Sequence, residues 1–350
     1  MKNGRLVAAT SILASSALLL GACSSSSKAQ PKKTTTTMKA VTCPLTGLPA
    51  PMGKVPQRPA VSAKIDNYSA ARPQSGLDAA NIIFEEPVEG GITRFNAFFQ
   101  CQDAPKVGPI RSARQIDIGI NSMFNNAGLA HIGGIQPVLQ NITNSGIPNL
   151  DLGNYGNSFI RDNSRYAPYN AYTSTDQLYA LVPNQHTPPS PVFTYSTATP
   201  SGTAVTSFNA NFSFEANVTW NWDSGSGTWL RFYNGNQPDM ILGGGQNNAV
   251  NVIVQTIHTT LGPWVENSGG GLEVQAQLSN TSGPVKIFRN GIEIDGTWSR
   301  GNANTPTVFK DAKGKVIDMA PGRTWVELFP DTSVLTVTAA PVTTTTAKKK

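Results

Sequence analysis

Charge is scarce in this chain. Only 14% of its 350 residues are Asp, Glu, Lys or Arg, well under the roughly 25% usual in soluble proteins, so long charged helices and coiled coils are excluded as its framework. Histidine and cysteine are rarer still, three of each. No Cys-x-x-Cys occurs, and His131, His186 and His258 lack ligand spacing, so no metal site is expected. Neither a Gly-x-Ser-x-Gly elbow nor a Gly-x-x-x-x-Gly-Lys-Ser/Thr loop is present, and no cofactor is implied. No apolar run reaches the roughly 20 residues of a membrane-spanning helix. Abundant instead are Gly, 32 residues, and Pro, 25, the composition of short strands and many turns. The length suits about two domains.

The amino terminus carries an address. Lys2 and Arg5 precede an uncharged apolar or small-residue run from Leu6 to Leu20, and residues 1–22 read as a secretory signal peptide. The run ends Leu20-Gly21-Ala22-Cys23, the pattern of a bacterial lipobox, in which the Cys23 sulfur receives a diacylglyceryl group. A single acyl chain anchors marginally and two or three anchor stably. The expected location is the outer, extracytoplasmic face of the cell membrane, with the bilayer as partner through acylated Cys23. Residues 23–42 are rich in Ser, Thr and Lys with no core to form, a flexible tether spanning about 25 Å. Residues 341–350 form a matching tail.

Segment by segment, the charge changes sign. The formal net charge is +6, which invites a nucleic-acid reading. Yet nine of the 27 basic residues lie in the signal segment, the tether and the tail, which hold no acidic residue, so the body carries 18 positive against 21 negative charges. Nucleic acid is therefore not an expected partner. With Cys23 acylated, Cys43 and Cys101 remain in an oxidising compartment, and two cysteines make one bridge. A Cys43–Cys101 disulfide is expected; the alternatives are free thiols or a metal site.

The body reads as α+β: a layered sheet-and-helix amino-terminal domain, then a smaller, predominantly β carboxy-terminal domain. In the first, residues 43–182, strands are expected over Val61–Ile65, Asn81–Val88, Ile92–Phe99 and Leu129–Ile132, and helices over Ser112–Phe124, Pro137–Thr143 and from Ser174 or Thr175 to Leu181. Residues 183–202 hold five prolines and read as a linker. In residues 203–340, short alternating segments include Phe212–Trp222, Trp229–Tyr233, Val250–Ile257, Leu272–Leu278, Val285–Phe288 and Thr324–Phe329. Turn pairs Asn234-Gly235, Asn290-Gly291 and Lys313-Gly314 punctuate them.

Several ordered segments of the first half resemble the YerB-type bacterial lipoproteins: Ile65-Asp66-Asn67, Ala71-Arg72-Pro73-Gln74-Ser75-Gly76-Leu77, Val88-Glu89-Gly90-Gly91-Ile92-Thr93-Arg94 and Val107-Gly108-Pro109-Ile110-Arg111-Ser112-Ala113-Arg114. His131-Ile132-Gly133-Gly134, Arg161-Asp162-Asn163-Ser164-Arg165 and Ala167-Pro168-Tyr169-Asn170-Ala171-Tyr172-Thr173-Ser174 continue the resemblance. In the second half, Asn251-Val252-Ile253-Val254, Gly296-Thr297-Trp298 and Pro321-Gly322-Arg323-Thr324-Trp325 extend it. The resemblance implies a lipoprotein with two adjoining domains of unknown function, and it carries over no catalytic residue. The disulfide rests on the residue argument alone.

Chemistry-bearing residues concentrate in the first domain. Asp66, Arg72, Glu89, Arg94, Arg111, Arg114, His131, Arg161 and Arg165 are candidate ligand-binding residues, and Arg111 and Arg114 flank Ser112 where free backbone N–H groups and guanidinium forks suit a phosphate or carboxylate. The competing reading pairs these arginines structurally with Glu85, Glu89 and Asp66. Glu86, Glu89 and His131 are the residues a cell-envelope hydrolase would use, although no spacing fixes their separation. Trp220, Trp222, Trp229, Tyr233, Trp264 and Trp298 either stack on sugars or partners or pack a small β core. Binding of a polar, anionic or glycan envelope ligand, or of an envelope protein, is preferred to catalysis; a structural or assembly role is the third class.

Overall fold

Five strands of this protein, Val61–Asp66, Ile82–Pro87, Gly128–His131, Asn251–Ile257 and Thr324–Pro330, are buried along nearly their whole length and run in one direction, as strands covered on both faces do. The computed structural model describes residues 40–266 and 270–341; the signal segment, Cys23, most of the tether and nearly all of the tail lie outside the described residues. The amino-terminal half supplies β1 (Val61–Asp66), β2 (Ile82–Pro87), β3 (Thr93–Phe99), β4 (Gly128–His131), β5 (Asn149–Asp151), β6 (Ile160–Arg161) and β7 (Ala171–Tyr172). Its helices are α1 (Gln115–Asn121), α2 (Gln136–Ser145) and α3 (Thr175–Ala180). The remainder supplies β8 (Thr203–Asn211), β9 (Asn217–Asp223), β10 (Thr228–Tyr233), β11 (Gln237–Pro238), β12 (Asn248–Ala249), β13 (Asn251–Ile257), β14 (Thr259–Val265) and β15 (Leu272–Ala276). It ends with β16 (Thr281–Arg289), β17 (Ile292–Arg300), β18 (Val308–Asp311), β19 (Thr324–Pro330) and β20 (Val334–Ala339). The described chain is thus mostly sheet with few and short helices.

One large sheet runs in the order β11-β10-β9-β8-β17-β16-β13-β19-β2-β3-β1-β4-β5. Its centre is β19, parallel to β13 on one side and to β2 on the other, with Glu327 opposite Glu85. β3 lies antiparallel between β2 and β1, and β1 is parallel to β4. The ribbons β14–β15 and β6–β7 stand apart from this sheet. The β16–β17 hairpin turns at Asn290 and Gly291, with φ of 55° and 70°; a turn of this hand needs positive φ at both positions, which Asn tolerates and Gly adopts freely.

Two expected elements differ in extent. The helix expected over Ser112–Phe124 starts only at Gln115, because Asp117 Oδ2 accepts the Arg114 N–H at 2.8 Å and fixes an extended Arg114 as the cap; a 3-10 turn, Ser122–Phe124, ends it. The strand expected over Phe212–Trp222 is broken by a turn in which Ala216 O accepts from the Phe212 and Ser213 N–H groups. The Pro-rich stretch packs on the body: Val192 is buried, and Thr194 and Ser196 bond through their backbones to Met319.

Cys43 and Cys101 are bonded, as expected, with Cα atoms 6.1 Å apart, beside Ala50 and Val55. Trp220, Trp229, Trp298 and Tyr233 are core residues, so packing, not stacking on a ligand, accounts for them. Trp222 is partly buried against the same core, and Trp264 is partly buried against Ala113, Val138 and Ile142. Among the described residues no helix is long and apolar enough to cross a membrane, and no cluster of three His, Cys, Asp or Glu side chains is placed to hold a metal ion.

Candidate functional site

Residues two apart on a strand share a face, so the central strands present two polar rows. Lys64 and Asp66 on β1, Arg94 and Asn96 on β3 and Glu86 on β2 face α1, whereas Phe95, Glu85 and Glu327 face β10. The carboxyl ends of β1, β2 and β4 and the start of β3 bring Asp66, Glu89, Arg94 and His131 to one sheet edge, and α1 begins beside them with Arg111 and Arg114 just ahead. This is the edge at which open sheets with parallel strands usually bind ligands. The residues singled out in the sequence fall into two groups, one buried at this edge and one at or near the surface beside it.

The first group is buried and internally paired. Arg114 grips Glu89 with two donors, Nε to Oε2 at 2.8 Å and Nη2 to Oε1, while Arg94 Nη2 approaches Oε1 at 3.5 Å. Burial disfavours the charged Glu89, but the two guanidinium groups more than offset it and hold the carboxyl down to about 2. Arg114 Nη1 lies 3.2 Å from Glu266, at the end of β14, and Glu273 on β15 accepts the Gln115 N–H at 2.9 Å. Burial pushes Glu266 up to about 7, against the pull of Arg114. Beneath them Lys64 touches Glu86 and reaches Asp117 at 3.1 Å; burial lowers Lys64 to about 8 despite Asp117. His131 is fully buried, with Nδ1 2.9 Å from Gly133 O and Nε2 2.7 Å from Asn149 Oδ1. Glu86, Glu89 and His131, the hydrolase candidates, are thus committed to protein partners.

The second group is open. Arg111 donates Nε to Asp66 Oδ2 at 2.7 Å, its side chain is 27% exposed, and its two Nη groups have no protein partner among the described residues. Asp66 Oδ1 accepts the Tyr68 N–H at 2.9 Å. Tyr68 stacks on Tyr169 with centroids 6.2 Å apart, and Tyr166 meets Tyr169 edge-on at 5.5 Å. Burial and the nearby Asp66 carboxylate raise the Tyr169 hydroxyl pKa. Tyr68 and Tyr166 are exposed. Arg165 holds the 70–73 loop through the Ala70, Arg72 and Pro73 carbonyls and bonds the Tyr172 hydroxyl at 2.7 Å. Arg72 bonds Asn67 O and lies 3.3 Å over the Tyr233 ring. Arg161 bonds Asn170 at the surface.

Sequence reasoning passed over Tyr68, Tyr166 and Tyr169, which come from two loops about 100 residues apart. It also passed over Arg231, which is fully buried between Glu85 and Asp239. The one available signal was an arginine at an inward position of an alternating strand, Trp229-Leu230-Arg231-Phe232-Tyr233.

Residues 45–188 match the family described as protein of unknown function (DUF3048), N-terminal domain, and residues 208–326 its C-terminal domain. The chain is 30% identical over 313 residues to a protein named "Putative lipoprotein YerB" from Bacillus subtilis, covering 84% of this chain and 88% of that one. It is similar to the crystal structure of YerB from Bacillus subtilis with a TM-score of 0.71 at 24% identity, over 85% of this chain and 99% of that chain. With both domains matched in order and a relative aligned over most of its length, the chain belongs to the DUF3048 family, alongside YerB.

Proposed function

We propose that this protein is an extracytoplasmic, lipid-anchored binding protein, held to the outer face of the cell membrane through acylated Cys23, with its ligand site at the Arg111 edge of the sheet. The lipobox around Cys23 and the name of the Bacillus subtilis relative support the anchoring. We read residues 43–182 as a sheet-and-helix layer and residues 203–340 as the mostly β part; α1 and α2 sharing the cluster around Ala113 and Val138 support the layering.

One observation carries the choice of binding over catalysis. The acid–base candidates Glu86, Glu89 and His131 are buried against protein partners, while Arg111, anchored by Asp66, keeps both Nη groups without a protein partner among the described residues, beside the exposed Tyr68 and Tyr166. A fixed fork with spare donors recognises an anionic group. The buried pairing of Glu89, Arg94, Arg114 and His131 with other protein groups favours a structural role for those four.

The test is co-sedimentation of the full mature chain, in detergent, with protein-free envelope polymer. Binding that is lost in Arg111→Gln is expected. Absence of binding by the parent protein, or release of polymer fragments that stops in Glu89→Gln, overturns the reading.

A further inference from the structure

A surface arginine needs no company to hold a small anion, yet Arg111 is continuous with three aromatic rings. Asp66 links them physically: one carboxylate oxygen takes the Arg111 Nε and the other takes the Tyr68 N–H. Tyr68 then stacks on Tyr169, and Tyr169 meets Tyr166. Tyr166 is 68% exposed, far more than an aromatic ring of a packed core leaves to water. The loops under these rings are fastened: Arg165 gathers three carbonyls of the 70–73 loop onto the 162–170 loop, and Asp162 ties that second loop to Lys106 at 2.6 Å. With Tyr68 and Tyr166 exposed and Tyr169 partly so, a surface of aromatic rings on fastened loops loses little side-chain freedom when it is covered.

Aromatic faces combine an apolar body with, in tyrosine, a polar hydroxyl at the rim. The ligand that matches such a face has an apolar side and a hydroxylated rim of its own, as a pyranose does. The matching group for the two spare Nη donors is an anionic oxygen pair at the edge of that ring. Resting on the binding reading above, we propose that the ligand of this surface is an anionic sugar, a pyranose ring bearing one carboxylate or phosphate, with Arg111 on the anion and Tyr166 and Tyr169 against the ring.

Neither half of the ligand suffices in this arrangement. The anion alone lacks the ring surface, and the neutral ring leaves the Arg111 donors unmatched. A charge-assisted hydrogen bond of this kind corresponds to about tenfold in affinity.

The experiment uses the full mature chain in detergent and ligand-observed NMR titration with four probes: D-glucuronate, D-glucose 6-phosphate, D-glucose and acetate. Glucuronate or glucose 6-phosphate is expected to bind about tenfold more tightly than glucose and than acetate; whichever of the two is stronger identifies the anionic group. Arg111→Gln removes the preference over glucose, and Tyr166→Ala removes the preference over acetate. Because Tyr166 is exposed, its variant folds as the parent does, which a matching circular dichroism spectrum and melting curve verify. Equal binding of acetate and glucuronate overturns the sugar assignment while leaving Arg111-dependent polymer binding intact. If all four probes fail to bind while Arg111-dependent polymer binding persists, the sugar assignment also falls; if polymer binding is absent too, the binding reading falls with it.

Discussion

Arg231 on β10 donates Nη2 to the Glu85 carboxylate on β2 at 2.7 Å, across 146 positions of sequence, and both side chains are fully buried. Arg231 also reaches Asp239 at 2.6 Å and lies against the faces of Tyr233, Trp325 and Phe95. Burial disfavours its charge, but Glu85 and the other neighbours more than restore it and raise its pKa. Removing one partner of such a pair leaves a buried charge uncompensated. Arg231→Met is therefore expected to lower stability by about 3–5 kcal/mol, read as a shifted guanidinium denaturation curve. A loss below about 1 kcal/mol, the size of an exposed pair, would mean that the pair contributes as a surface bridge does.

The β14–β15 ribbon is held to α1 by a group that titrates near neutrality. Glu266 faces Arg114, Glu89, Glu273 and Arg94, and burial raises it from 4.5 to about 7. A carboxyl that keeps its proton longer in the folded chain than in the unfolded one stabilises the fold fully below about pH 4.5, and that contribution disappears as the pH rises through about 7. Wild type should thus lose about 1 kcal/mol, screening included, between about pH 5.5 and pH 8 relative to Glu266→Gln. Denaturation of both proteins at the two pH values measures it; parallel pH dependences would assign the effect elsewhere.

Cys43 and Cys101 close a loop across a separation of 58 residues. On the chain-entropy account, replacing both by alanine destabilises the protein by about 4 kcal/mol, mostly by freeing the unfolded chain. The midpoint of chemical denaturation should fall accordingly, and dithiothreitol should lower the wild type and leave the variant unmoved.

Anchoring has a direct measurement. On the proposed anchoring, in which acyl chains on Cys23 would supply the membrane affinity, Cys23→Ser should move the protein from the detergent phase to the aqueous phase in cloud-point partitioning. Retention in the detergent phase would exclude Cys23 as the anchor.

Strand periodicity made much of the central sheet legible. Val61–Ile65, Asn81–Val88 and Ile92–Phe99 correspond to β1, β2 and β3 within a residue or two, and Asn290-Gly291 marks a real hairpin. The buried charges were not legible. Glu85 was offered as a partner of Arg111 and Arg114 and Glu86 as an acid–base group, while Lys64 and Glu327 were not singled out, because in an isolated strand a charge marks the wet face; here both faces are covered, and all four side chains are buried, Glu85 against Arg231 instead. Of the arginines, Arg94, Arg111 and Arg114 do lie at one sheet edge, but whether each is paired or open depends on Glu89, on Glu266 and on the tyrosines, which arrive from remote segments.

The position of β19 has a further meaning for the order in which the chain is made. β2 has β3 on one side and β19 on the other, yet β19 begins roughly 240 positions after β2. While the chain is being synthesised, the edge formed by Ile82, Ile83 and Phe84 has no final partner until residues 324–330 have emerged. A strand that ends up central is thus an open, apolar edge for most of the protein's synthesis, the kind of edge that recruits the wrong neighbour. Products truncated before Thr324 inherit that edge permanently, and the last tenth of the chain decides whether the first third is protected.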